Sequence, residues 1–268
     1  MDMKKKQNIQ KVSKPYLTGD IFDRSTLVRT LKFFCGTLAM AVGFLVLGVM
    51  MNFGAQWINV LINVAIVLGV YLFFNQMGMS TGAEAVNQGE IMYARQEKGR
   101  PVAAWERSMC YHPLKGLTAA VLGSLPLVVC SVVLACIAQR QVSGLGALPS
   151  WLSGLEGRPE IGDALAYYHE TGSMSLEGAL RLLIRMSTMP FVNMIGATDK
   201  DGMLLLERLS PVLNLLPALF YGVGYMQGVS VRTSVHTNIA LGKKKARRKQ
   251  AKERRARQQT RRGPEQLN

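Results

Sequence analysis

The chain has 268 residues, 49% of them hydrophobic, and a formal net charge of +15 at pH 7. Those totals are ordinary for one or two globular domains, but the apolar residues gather in long uncharged runs with the charges between them. That distribution excludes a soluble globular chain, and the basic excess asks for acidic partners, phospholipid headgroups or nucleic acid.

The four cysteines, Cys35, Cys110, Cys130 and Cys136, form no C-x-x-C pair, and three of them lie in apolar runs. They read as small, soft hydrophobes rather than as a disulfide framework or a zinc site.

Residues 1–32 form a basic segment carrying Lys4, Lys5, Lys6, Lys11, Lys14, Arg24, Arg29 and Lys32. Asp23 or Ser25 is placed to cap a helix running on into the first apolar run. That run, 33–51, is close to the roughly 20 residues needed to cross about 30 Å of hydrocarbon. It starts late and lacks an A-x-A-like exit, so it is expected to stay in the mature chain as an anchor rather than leave as a signal peptide. Ala39 and Gly43 form a small-x-x-x-small pair, flanked by Gly36 and Gly48, a surface on which another helix can pack closely.

An uncharged turn, 52–56, makes spans one and two an expected hairpin. Trp57 opens span two, 57–74, as an interfacial aromatic. Asn59 and Asn63 share one helical face, and in hydrocarbon each amide needs a partner, so that face is expected to turn towards another helix as structural glue.

Residues 75–116 form a polar helical loop with Arg95, Lys98, Arg100, Arg107 and Lys115. Thr81 and Glu84 have capping-box spacing for a new helix, which Gly99 and Pro101 would end. A second short helix is expected around 102–111. Within it Glu106, Cys110 and His112 are three candidate metal ligands, but without a second cluster they specify no closed site, and no metal or cofactor is assigned.

Span three, 117–138, repeats the small-residue spacing at Ala119 with Gly123 and at Ala120 with Ser124, and carries Pro126. Residues 139–208 contain Gly and Pro punctuation around Trp151, then the acids Glu156, Glu160, Asp163 and Glu170. A helical period follows from Leu176 to Ile195, with Arg181 and Arg185. Two arginines and Glu177 argue against a fifth crossing, so this reads as an amphipathic helix of the outer loop, on the membrane surface or packed on the spans. Glu207 and Arg208 are expected at the outer interface before span four, 209–226, which Pro211 and Pro217 interrupt around Asn214.

The remainder, 227–268, is a basic tail. Lys243, Lys244, Lys245, Arg247, Arg248, Lys249, Lys252, Arg254, Arg255, Arg257, Arg261 and Arg262 face one acid, Glu253. Its residues favour helix but supply no apolar stripe. The simplest role is contact with anionic lipid headgroups; the sharper one is phosphate contact with RNA or a ribosome, without an interleaved aromatic for base stacking.

Eight Lys or Arg precede span one, five lie in the 75–116 loop and thirteen follow span four, 26 of the 32 in the chain. Both termini and the middle loop are therefore expected in the cytoplasm.

No metalloprotease, P-loop, dinucleotide, nucleophile-elbow or EF-hand pattern occurs, and His112, His169 and His236 lie in separate segments. The expectation is an all-α integral membrane protein with four transmembrane helices in a bacterial-type plasma membrane. It has no enzymatic assignment, and its role would be that of a scaffold or assembly component. Beyond lipid or RNA, its partner would be another membrane protein or a second copy of the chain. A small permease or channel subunit is the alternative, resting on the Pro-interrupted spans.

Overall fold

The computed structural model describes residues 12–50, 56–138, 176–196 and 199–261. Lys4, Lys5, Lys6, Lys11, the 52–55 turn, the 139–175 stretch with its acids and His169, and Arg262 lie outside the described residues.

Among the described residues eight helices follow in chain order: α1 (Arg24–Met50), α2 (Gln56–Glu97), α3 (Ala104–Arg107), α4 (Lys115–Ile137), α5 (Leu176–Ser187), α6 (Met189–Ile195), α7 (Lys200–Met226) and α8 (Gly228–Arg261). Four stretches among the described residues, in α1, α2, α4 and α7–α8, are long and apolar enough to cross a membrane. Their outward faces carry exposed large apolar side chains, among them Val42, Leu61, Leu72, Val129 and Val212. A continuous apolar exterior of this kind suits hydrocarbon rather than water.

α7 is the central helix, packed against α4 on one side and α2 on the other, with α1 against α4. We call the end where α1 begins and α7 finishes the tail end, and the opposite end the hairpin end. The tail-end core joins Phe33, Phe74, Ala120, Ala218 and Tyr221, and a second cluster beyond it joins Ala85, Val86, Tyr111 and Tyr225.

α1 and α2 run antiparallel, but α6 packs on both of them at the hairpin end and they have few direct contacts. α5 and α6 together form a helical hairpin packed on α1, α2, α4 and α7. Going inward along α5, Arg181 meets Glu207 and then Ser187 meets Asn214. The chain breaks at Thr188, and α6 returns until the Met194 carbonyl accepts from Gln56, the first residue of α2. Pro190 at the start of α6 suits a first helical turn, whose amide needs no partner.

α2 does not stop at 74. Its 42 residues rise about 63 Å, twice the hydrocarbon thickness, so its second half projects from the tail end. The expected restart at Thr81 does not occur. The Thr81 hydroxyl bonds back to the Met77 and Gly78 carbonyls and pairs with the Tyr221 hydroxyl, so it caps nothing. The expected short helix around 102–111 is confined to the four residues of α3. α7 in turn starts at Lys200, with the Asp199 carboxylate accepting from the Gly202 amide as its cap.

Candidate functional site

The first candidate is a cavity of about 710 Å³ at the tail end, between α1, α2, α3 and α7. Ser25, then Val28 with Arg29, then Lys32 follow at steps of three or four residues, so one face of α1 forms its wall. Thr81, Glu84, Trp105 and Tyr221 line the other sides. The Arg29 guanidinium donates to the Tyr225 hydroxyl at 2.8 Å and lies 5.5 Å from that ring's centre. Behind the wall Lys115 is fully buried, donates to the Ser108 carbonyl and stands 3.6 Å from the Asp23 carboxylate. Lys115, counted among the loop charges, therefore serves packing of this end and does not reach outward.

The tail-end glycines form the second feature. Gly78 and Gly82 on α2 face Gly224 and Gly228 across the α2–α7 crossing and its continuation into α8. A Cβ on any of the four would strike backbone of the opposite helix. Both pairs have small-x-x-x-small spacing, the signal by which the sequence discloses this contact. Past the crossing, Gly82 meets Gly228, and Glu90 bonds Arg232 and His236, so α8 runs parallel to the projecting half of α2. The N-terminal segment braces the same place, its Leu17 amide bonding Gly89 and its Val12 amide bonding Thr237.

The basic tail continues this rod. Residues 243–257 are helical and exposed, so Lys243, Lys244, Lys245, Arg247, Arg248, Lys249, Lys252, Arg254, Arg255 and Arg257 form a positive column; Arg261 ends the helix.

The hairpin end has a polar centre. Glu207, 3% exposed, accepts from Arg185 at 2.7 Å and from Arg181 at 3.2 Å. One layer deeper, Asn214 donates to the Ser131 hydroxyl at 2.7 Å and accepts from Ser187 at 3.0 Å. Glu207, expected at the interface, is instead a buried counter-ion. Two arginines four residues apart share one face of α5 and need an acid there, which was the available signal. Arg208 is exposed.

Among the residues expected to pack helices, Ala119 is buried and a Cβ on Gly123 would lie 2.8 Å from the Thr30 carbonyl, so both meet α1 or its neighbours closely. Asn59 and Asn63 are buried, Asn63 donating to the Asn59 carbonyl at 2.7 Å. Ala39 is exposed, and among the described residues nothing lies within 4 Å of a Cβ added at Gly43.

Glu106, Cys110 and His112 do not gather. Glu106 pairs with Arg95, Cys110 is buried against the Glu106 carbonyl, and the His112 ring accepts from the Leu114 amide. Among the described residues no three His, Cys, Asp or Glu side chains group as metal ligands. Burial pushes the Cys110 thiol up, against the lowering by Lys115 and Arg107, so it is a poor nucleophile at neutral pH. Burial, then Tyr225 and Tyr16, pushes Tyr111 up to about 12. Its ring stacks on Tyr225 with centres 5.3 Å apart.

Comparison with protein-family models, with curated proteins and with solved structures finds no match to this chain.

Proposed function

We propose that this chain is a non-enzymatic scaffold or assembly component of a bacterial-type plasma membrane, with both termini and the 75–116 segment in the cytoplasm. The bias of 26 of 32 Lys and Arg towards that side supports the orientation. The α5–α6 hairpin then lies in the outer half of the bundle, its polar face around Arg181 and Arg185 turned inward to Glu207.

One observation carries the reading: the basic column stands on a braced rod that leaves the bundle. From Tyr225, at the last tail-end core layer, to Lys243 the helix rises about 27 Å. The Debye length at physiological salt is about 8 Å. Headgroup charge is therefore screened at the column unless the rod bends over. A soluble polyanion meets the column where it stands. RNA, alone or on a ribosome, is that partner, held through phosphates without base reading because no aromatic interrupts the column.

The test is recovery of partners from crosslinked membranes by the full chain and by a chain ending at Gly242, with RNA and lipid quantified at about 50 and 200 mM salt. Six to ten phosphate contacts would weaken binding roughly 10³- to 10⁵-fold between those salts. RNA recovered only by the full chain and lost at the higher salt is the expected result. Anionic lipid recovered in its place would return the tail to a headgroup role. Identical partners from both chains would move the function into the bundle.

A second reading, a small permease or channel subunit, draws on the α5–α6 hairpin and on Pro211 and Pro217 flanking Asn214 in α7. It predicts loss of function from Asn214→Ala, Asn59→Ala or Asn63→Ala, with none from removal of 243–262.

A further inference from the structure

We propose that the tail-end cavity binds the phosphate headgroup of an anionic amphiphile, with the phosphate at Arg29 and Lys32 and the start of its chain against Val28, Phe33 and Met77. The inference is independent of the tail, since no residue of 243–257 lines this cavity.

Charge is the first argument. Arg24, Arg29 and Lys32 line the cavity against two acids, Asp23 and Glu84. Asp23 is directed to Lys115, which leaves Glu84 alone against three cations. Among the described residues neither Arg24 nor Lys32 is in an ion pair.

Position and shape supply the amphiphile. The cavity lies where the charged start of α1 gives way to its apolar run, and the aromatic contact of Phe33 with Phe74 and Tyr221 lies at that level. This is the headgroup level of a spanning helix. The lining is mixed: cations on α1, the Thr81 and Tyr221 hydroxyls, and apolar walls that a small sugar phosphate would leave unused. About 710 Å³ falls within the range of sites that enclose a ligand of this size. Trp105, 64% exposed, stands at the rim and reports occupancy.

The experiment uses the full chain in a neutral detergent with Trp57→Phe and Trp151→Phe, so that Trp105 gives the fluorescence signal. Dodecyl phosphate and glycerol 3-phosphate are titrated as probes. Dodecyl phosphate is expected to bind at least tenfold tighter. Arg24→Gln and Lys32→Gln, which break no ion pair, should each weaken it about fivefold, the value of one cation at an anionic headgroup. Val28→Glu, which sets a carboxylate in the cavity, should weaken it at least tenfold with the melting temperature unchanged. Ending the chain at Gly242 should leave binding intact. Equal affinity for glycerol 3-phosphate would overturn the amphiphile in favour of a soluble phosphate compound. Binding indifferent to Lys32→Gln and Val28→Glu, or lost with the tail, would overturn the site.

Discussion

At the tail end α2 and α7–α8 meet through four glycines, while at the hairpin end α5 and α7 meet through a carboxylate and two arginines. Both solve one problem. In a bilayer, lipid tails are as apolar as leucine, so helix association needs either close backbone approach or polar bonds. The glycine crossing uses the first and carries no charge to desolvate. The hairpin end uses the second, and it does so where a short, strongly amphipathic segment has to be held inside a bundle. A glycine contact fails when atoms are added, and an ion cluster fails when one partner is taken away.

The largest expected effect is at the ion cluster. Glu207→Ala leaves Arg185 without its acid and Arg181 with only the more exposed Glu177, and should cost about 3–5 kcal/mol, read from denaturant unfolding in mixed micelles. Replacing Glu207 by Leu together with Arg181 and Arg185 by Met should restore most of that stability. If the triple variant folds but the cell function is lost, the cluster acts in function and the permease reading gains.

Gly224→Ala comes next, since its Cβ meets the Asn75 carbonyl, which belongs to a helix and cannot yield alone. About 3 kcal/mol is expected, the upper part of the range for overpacking. Gly43→Ala is the matched control, because nothing lies within 4 Å of its added carbon. It should stay within about 0.5 kcal/mol. Equal losses from the two would undo the contrast between a glycine that packs and one that does not.

Asn214→Ala removes one hydrogen-bonded link between α4, α5 and α7 and should cost about 1 kcal/mol, in line with hydrogen bonds between membrane helices. The smallest effect is alkaline. Folding favours the neutral Tyr111 phenol, so its contribution is complete below 10.0 and is lost as pH rises from there through about 12. Tyr111→Phe should remove one late-titrating component from the phenolate absorbance.

The spans were legible because hydropathy is a local property, and each apolar run forms one helix. The helix boundaries were not. Thr81 and Glu84 have the spacing of a cap, yet Thr81 lies on a helix face whose partner, Tyr221, is 140 residues away. Glu207 stands next to Arg208 in sequence and looks like part of the same interface. One is buried and the other exposed because α5 presents its arginines to one side of α7 only. For the cavity, Arg24, Arg29 and Lys32 were visible as charges that set topology, but not as one wall of a shared space.

The sequence by itself determined the number of apolar helices, the basic excess at the ends of the chain and the column of charge in the tail. Those follow from composition over windows no longer than one helix. Only the tertiary structure decided that α2 projects beside α8, that α5–α6 enters the bundle between α1 and α2, and that three cations of α1 line a cavity with Trp105. Each of those depends on contacts between segments far apart in the chain, where steric fit and the burial of charge select the partner.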